Sequence, residues 1–194
     1  MPISDRYPFP TLPDYLAAGL DIVFVGINPG LYSVARGHYF ARRTSRFWPA
    51  FSRSRLSAHV RIALGRETLC PEDDAALLAL GIGFTDVVKV ATRNAAELRL
   101  ADFHEWAPRL LARLQAYQPR VACFHGVTAY RAFARYALGA EQVPADLGPQ
   151  PHRVGETGLF VVPNPSAANA HFGRADQIAW YDRLAEFLQQ AERP

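Results

Sequence analysis

Four short apolar runs, each closed by turn-forming residues, constrain this chain more than any other feature. They are Ile22-Val23-Phe24-Val25, Phe84 to Val88, Val121-Ala122-Cys123-Phe124 and Leu159-Phe160-Val161-Val162. Apolar runs of this length without polar alternation read as strands buried on both faces. Helical stretches are expected between them, over 71–80, about 97–117 and 127–138, with a closing helix from about 174 to 191. Buried strands separated by helices predict a doubly wound α/β fold. The expected form is a three-layer α/β/α sandwich with a central, mainly parallel sheet of four to five strands.

The remaining segments fit around that frame. Residues 1–20 carry Pro2, Pro8, Pro10 and Pro13 and read as an extended arm wrapping the domain, with a short helix over 13–18. Residues 30–43 lack a clean period and read as a long functional loop. A helix carrying Arg46-Phe47-Trp48 is expected to start near Thr44 or Ser45, with Pro49 in its first turn, and a second short helix over 52–66. Pro71-Glu72-Asp73-Asp74 opens the 71–80 helix and Gly81 ends it. Pro108 is a kink or boundary in the long helix. Residues 141–157, with Pro144, Pro149 and Pro151, read as loops. With no internal repeat or low-complexity tract, one domain over 1–194 is expected.

Composition narrows the function classes. Cys70 and Cys123 are the two cysteines, which give neither a disulfide framework nor a metal spacing, so no metal or other cofactor is expected. No apolar run approaches the ~20 residues of a membrane span, and the N-terminus lacks a secretory layout, so a cytoplasmic monomer without a membrane partner is expected. The net charge is only +3, but Lys89 is the single lysine among 21 basic residues. Arginine suits bidentate phosphate contacts, although a GC-rich genome produces the same bias.

In an open α/β sheet, ligands gather where strands end. Four such segments converge here: 26–30, 85–89, 125–126 and 163–169. The first and last carry matching turns, Asn28-Pro29-Gly30 and Asn164-Pro165-Ser166. An Asn-Pro pair alone is a turn signal; two, each after a buried strand, point to a site. No phosphate loop, dinucleotide fingerprint or serine-nucleophile elbow is present. Between 36 and 48 the chain interleaves Arg36, Arg42, Arg43 and Arg46 with Tyr39, Phe40, Phe47 and Trp48. That mixture suits nucleic acid, guanidinium meeting phosphate while rings stack on bases. Phe47 and Trp48 are expected in the core, leaving Arg42, Arg43 and Arg46 to face phosphate.

Together these segments resemble the mismatch-specific uracil-DNA and thymine-DNA glycosylases. The resemblance rests on Gly26-Ile27-Asn28-Pro29-Gly30-Leu31, Gly37-His38-Tyr39-Phe40, Arg46-Phe47-Trp48 and Pro163-Asn164-Pro165-Ser166, in the same order over roughly 20–190. It implies a uracil-DNA glycosylase-like fold and a monofunctional enzyme. Such an enzyme flips uracil, preferentially from G·U mismatches and also thymine from G·T, and hydrolyses the N-glycosidic bond. Its partner would be double-stranded DNA containing uracil or mismatched bases.

The resemblance further implies that Asn28 positions the attacking water, that Phe40 stacks on the extruded base, and that the backbone around Ile27 and Phe40 reads its edge. Gly26, Gly30, Ser33, Tyr39, Asn164 and Ser166 complete the expected base site. Pro165, Ala167, Ala168, Asn169 and His171 are expected against the DNA. Relatives with Asp at the position of Asn28 have a general base there; with Asn, slower chemistry is implied. Asp86, at the end of the second strand, is the candidate to supply that carboxylate, its alternative being a strand-end residue that pairs with an arginine or caps an amide. The family's intercalating position holds only Ala167-Ala168-Asn169 here, and small side chains make poor wedges. A second reading is a non-catalytic module that binds DNA lesions or nucleobases on the same fold.

Overall fold

The computed structural model describes residues 8–143 and 146–190. Pro2, Pro144 and Ala145 fall outside them. Five strands form the sheet: β1 (Ile22–Gly26), β2 (Ile82–Asp86), β3 (Val121–His125), β4 (Gly148–Val154) and β5 (Thr157–Val162). Their order is β2-β1-β3-β5-β4, with β4 antiparallel to β5 and the other pairings parallel. Around it lie α1 (Leu31–Arg36), α2 (Phe47–Phe51), α3 (Ala58–Leu64), α4 (Leu100–Tyr117), α5 (Val127–Ala137) and α6 (Arg174–Gln190).

The pleat explains the layers. Successive strand side chains point to opposite faces. In β1, Ile22 and Phe24 join one core with Phe47, Phe51, Phe84, Tyr181 and Leu184. Val23 and Val25 join the other with Leu110, Leu114, Phe124, Phe133 and Val161. Burial of a side chain such as Phe24, with edge-to-face partners Phe47 at 5.2 Å and Phe51 at 5.7 Å, stabilises the fold. Each such burial contributes about 1.5–3 kcal/mol.

Several expected boundaries move. The second strand begins at Ile82 rather than Phe84 and ends at Asp86; Val87 and Val88 continue as buried chain, their amides donating to Gly26 and Ile27 at 2.8 and 2.9 Å. Gly83 hides that start, and it is glycine because a Cβ there would sit 2.3 Å from the Tyr15 carbonyl oxygen. The arm runs extended instead of forming a helix at 13–18: Tyr15 exchanges hydrogen bonds with Phe84 at 2.9 and 3.0 Å, covering the β2 edge. Residues 30–43 are not all loop, since Leu31–Arg36 is helical and is closed by Gly37 at φ 76°. Residues 71–80 form 3₁₀ turns, and Pro108 lies inside α4. The 141–157 region contains β4, which was expected to be loop. Its proline residues are tolerated because β4 is an edge strand and Pro149 and Pro151 are exposed.

Candidate active site

The carboxyl ends of β1, β2, β3 and β5 surround a cavity of about 620 Å³. The register explains why: Gly26 lies opposite Asp86 and Phe124 opposite Val161, so the parallel strands end together.

After β1, the backbone turns through Asn28 and Pro29 and is stitched to the segment after β2. Leu31 N donates to Thr92 O at 3.0 Å, and Thr92 N to Pro29 O at 3.2 Å. Asn28 Nδ2 donates to Val90 O and to Thr92 Oγ1, both at 2.8 Å. A main-chain carbonyl can only accept, so the orientation of the amide is fixed. Oδ1 then remains as an acceptor at the cavity wall.

Asp86 closes β2 against Gly26, and a Cβ on Gly26 would fall 2.5 Å from Asp86 Oδ1. The carboxylate is buried and its Oδ2 lies 3.5 Å from Lys89 Nζ. Lys89 is itself fully buried, with Asp14 Oδ1 at 2.9 Å and the Tyr39 hydroxyl at 3.2 Å. Asp14 also accepts from Thr85 Oγ1 at 2.6 Å and faces Arg113 at 3.3 Å. Burial, reinforced by the Asp14 charge, pushes the Asp86 carboxyl up to about 6, against the pull of Lys89.

Phe40 occupies the left-handed region at φ 53°, a conformation that is strained for a residue with a Cβ. It is held there from both sides. Its ring stacks on Phe47 at 4.3 Å, Ala41 N donates to Ser33 Oγ at 3.3 Å, and Trp48 Nε1 donates to Tyr39 O at 2.9 Å. At the end of β3, buried His125 lies 4.9 Å from the Phe40 ring, with Nε2 2.9 Å from the Tyr181 hydroxyl. Burial drives its imidazole down to about 3, so it is neutral at ordinary pH.

The segment after β5 forms the opposite wall. Asn164 Oδ1 accepts from Ser166 N at 2.9 Å, and Asn169 Nδ2 donates to Asn164 O at 3.1 Å. Gly126 is glycine because Asn164 crowds it: an added Cβ would meet Asn164 Cβ at 3.2 Å, and its φ is 98°. Arg46 clasps this loop. Nη1 donates to Ser166 O and Asn169 O, each at 2.9 Å, and its backbone N donates to Pro165 O at 2.8 Å.

Most of the sequence-predicted residues therefore meet in one place. Gly26, Ile27, Asn28, Gly30, Ser33, Tyr39, Phe40 and Asp86 line the cavity on one side, with Asn164, Pro165, Ser166, Ala167, Ala168 and Asn169 on the other. Arg42 reaches its wall; exposed Arg43 and His171 lie outside the lining. Arg46 differs from the expected exposed cation, because its guanidinium holds loop carbonyls. Tyr39 is buried and serves the scaffold as well: its hydroxyl donates to Pro13 O at 2.9 Å and its ring stacks on Phe84 at 5.2 Å.

Sequence reasoning missed His125, Lys89 and Asp14, and also the wall formed by Arg93, Asn94 and Ala95. The lone lysine in an otherwise arginine-only basic set was the available signal for Lys89. The two cysteines are chemically quiet: burial raises the thiol of Cys70 to about 11 and holds that of Cys123 well above its ordinary range. Among the described residues no helix is long and apolar enough to cross a membrane, and no group of three His, Cys, Asp or Glu could hold a metal ion.

A strand-end cavity with an aromatic floor, a fixed amide and a buried carboxylate has the concave, mostly preformed lining of a small-ligand site. A sequence model of the uracil DNA glycosylase superfamily matches residues 13–189, and the chain belongs to that superfamily. It is accordingly a DNA glycosylase, a hydrolase of base excision repair that acts on DNA.

Proposed function

We propose that this enzyme is a monofunctional uracil-DNA glycosylase of the mismatch-specific type, acting first on G·U and also on G·T. The observation that carries the mechanism is the locked amide of Asn28, whose Nδ2 bonds to Val90 O and Thr92 Oγ1 leave Oδ1 as acceptor in the cavity that Asp86 borders. In this reading Oδ1 holds the attacking water in line with C1′ of the flipped nucleotide, which supplies orientation more than basicity. The water oxygen bonds to C1′ as the C1′–N1 bond breaks, the bonding pair leaves with the base, and the water proton passes to the Asp86 carboxylate.

The base departs as an anion. Backbone amides at Ile27 and Phe40 meet its edge, the Phe40 ring stacks on its face, and neutral His125 borders the pocket without adding charge. Arg42 and Arg43 hold phosphates, and the Ser166–Asn169 loop occupies the gap left in the duplex. Flipping costs a few kcal/mol and least at a mismatch, which favours G·U over A·U. The enzyme acts as a single-domain monomer on duplex DNA.

The test is single-turnover incubation, with enzyme in excess, of duplexes carrying G·U, A·U or G·T, followed by alkali to reveal abasic sites. Strand breaks are expected fastest at G·U. Tight binding without cleavage of any uracil duplex would leave the non-catalytic lesion binder in place of this reading.

A further inference from the structure

We infer that Lys89, braced by Asp14 of the N-terminal arm, is the positioning residue that holds the Asp86 carboxylate in place and ionised at the cavity wall. The inference rests on the reading of Asp86 as the proton acceptor. Its basis is a row of three charges, of which Lys89 and Asp86 are buried and Asp14 is partly buried. Lys89 Nζ stands between Asp14 Oδ1 at 2.9 Å and Asp86 Oδ2 at 3.5 Å, and no part of its side chain reaches solvent. A buried ammonium needs partners to remain charged, and a buried carboxylate beside one is favoured in its charged form.

The row is anchored on elements distant in sequence. Asp14 is held by Thr85 Oγ1 of β2 at 2.6 Å and by Arg113 of α4 at 3.3 Å. The Tyr39 hydroxyl accepts from Lys89 Nζ at 3.2 Å and donates its hydrogen to the Pro13 carbonyl at 2.9 Å, and its neighbouring dipole favours the charged form of Asp86. The groups facing Asp86 are thus Lys89, Tyr39, Asp14 and the close backbone of Gly26. Lys89 and Asp14 act on it with opposite sign: the ammonium favours the carboxylate, whereas the Asp14 charge opposes it. An arm residue thereby sets how strongly Lys89 holds the site.

This opposition gives a test that a purely structural role fails. Single-turnover cleavage of a uracil duplex is measured from pH 5 to 9 for the wild type, Lys89→Met, Asp14→Asn and Asp86→Asn, with unfolding curves alongside. Activity carried by an ionised carboxylate rises with pH through its pKa. Lys89→Met is expected to move that limb to higher pH by about one unit or more. It then cleaves about fivefold slower than wild type near pH 6, and the deficit approaches tenfold at lower pH and shrinks as pH rises.

Asp14→Asn keeps an acceptor for Thr85, frees the ammonium for Asp86 and moves the limb to lower pH. If Lys89→Met does not fold, Lys89→Gln takes its place: an upward shift supports the inference, and an unchanged or downward limb overturns it. If Asp86→Asn abolishes the limb while neither neighbour shifts it, this inference falls and the role of Asp86 stands. If Asp86→Asn keeps the wild-type rate and profile, both fall.

Discussion

Substituting Gly26 by alanine tests the contact between β1 and the Asp86 carboxylate in one step. Gly26 does not use the left-handed region, so alanine meets no backbone penalty there. The obstacle is the carboxylate: the new Cβ would stand 2.5 Å from Asp86 Oδ1, whereas ordinary contact begins at 3.4 Å. The oxygen must retreat by about 0.9 Å, and its neighbour Lys89 leaves little freedom on the far side. Overfilling a packed site typically costs about 1–3 kcal/mol, and misplacing a reacting group by about 1 Å costs about 10²-fold in rate.

Gly26→Ala should therefore cleave a G·U duplex about a hundredfold more slowly in single turnover while unfolding at only modestly lower urea. The double variant Gly26→Ala, Asp86→Ala removes the obstructing oxygen, so its stability loss should be smaller than the sum of the singles by about 0.5–3 kcal/mol. A Gly26→Ala enzyme within about threefold of wild type, or strict additivity in the cycle, would refute the reasoning.

Asn28→Ala should cut the cleavage rate by about 10²-fold or more while duplex binding persists, as measured by single-turnover kinetics beside a filter-binding titration. Asp86→Asn should stabilise the fold. The folded carboxyl titrates near 6, above its unfolded value, so the native state holds its proton more firmly and loses stability as pH rises toward 6. The gain, roughly 1–3 kcal/mol, should be full at pH 8 and fade toward pH 4 in urea titrations. Replacing Arg42 and Arg43 by alanine should lower the salt slope of duplex binding by about one unit for each arginine that meets a phosphate. Arg46→Ala should instead free the 166–169 loop, raising its proteolysis and slowing cleavage, with less change in salt slope.

How much of this was legible beforehand depends on where each residue's partners lie. The parallel strands were readable because both of their faces are buried, which leaves an unbroken apolar run. The Asn28 turn was readable because its glycines and proline act locally. β4 was not: it pairs on one edge only and carries two exposed prolines, a pattern that reads as loop. Arg46 looked like a free cation because the carbonyls it holds lie about 120 positions away in the chain. Lys89 and His125 were hidden for a related reason. A polar residue at a strand end is usually wet, and here the arm and Tyr39 cover Lys89 while Phe24, Phe40, Phe47 and α6 cover His125.

The locked amide of Asn28 also limits how this enzyme can evolve. An aspartate at that position would supply a base, and it differs from asparagine by a single group. Its second oxygen, however, would replace Nδ2 and come to lie 2.8 Å from the Val90 carbonyl, oxygen against oxygen with no proton between them. Thr92 offers little relief, since its hydroxyl already donates to Asn94 O at 2.9 Å. No codon change can remove a main-chain carbonyl. A lineage starting from this sequence would have to rebuild the 90–92 turn before an acid at 28 became useful, so the shortest mutational route to a faster enzyme runs through the neighbours of Asp86.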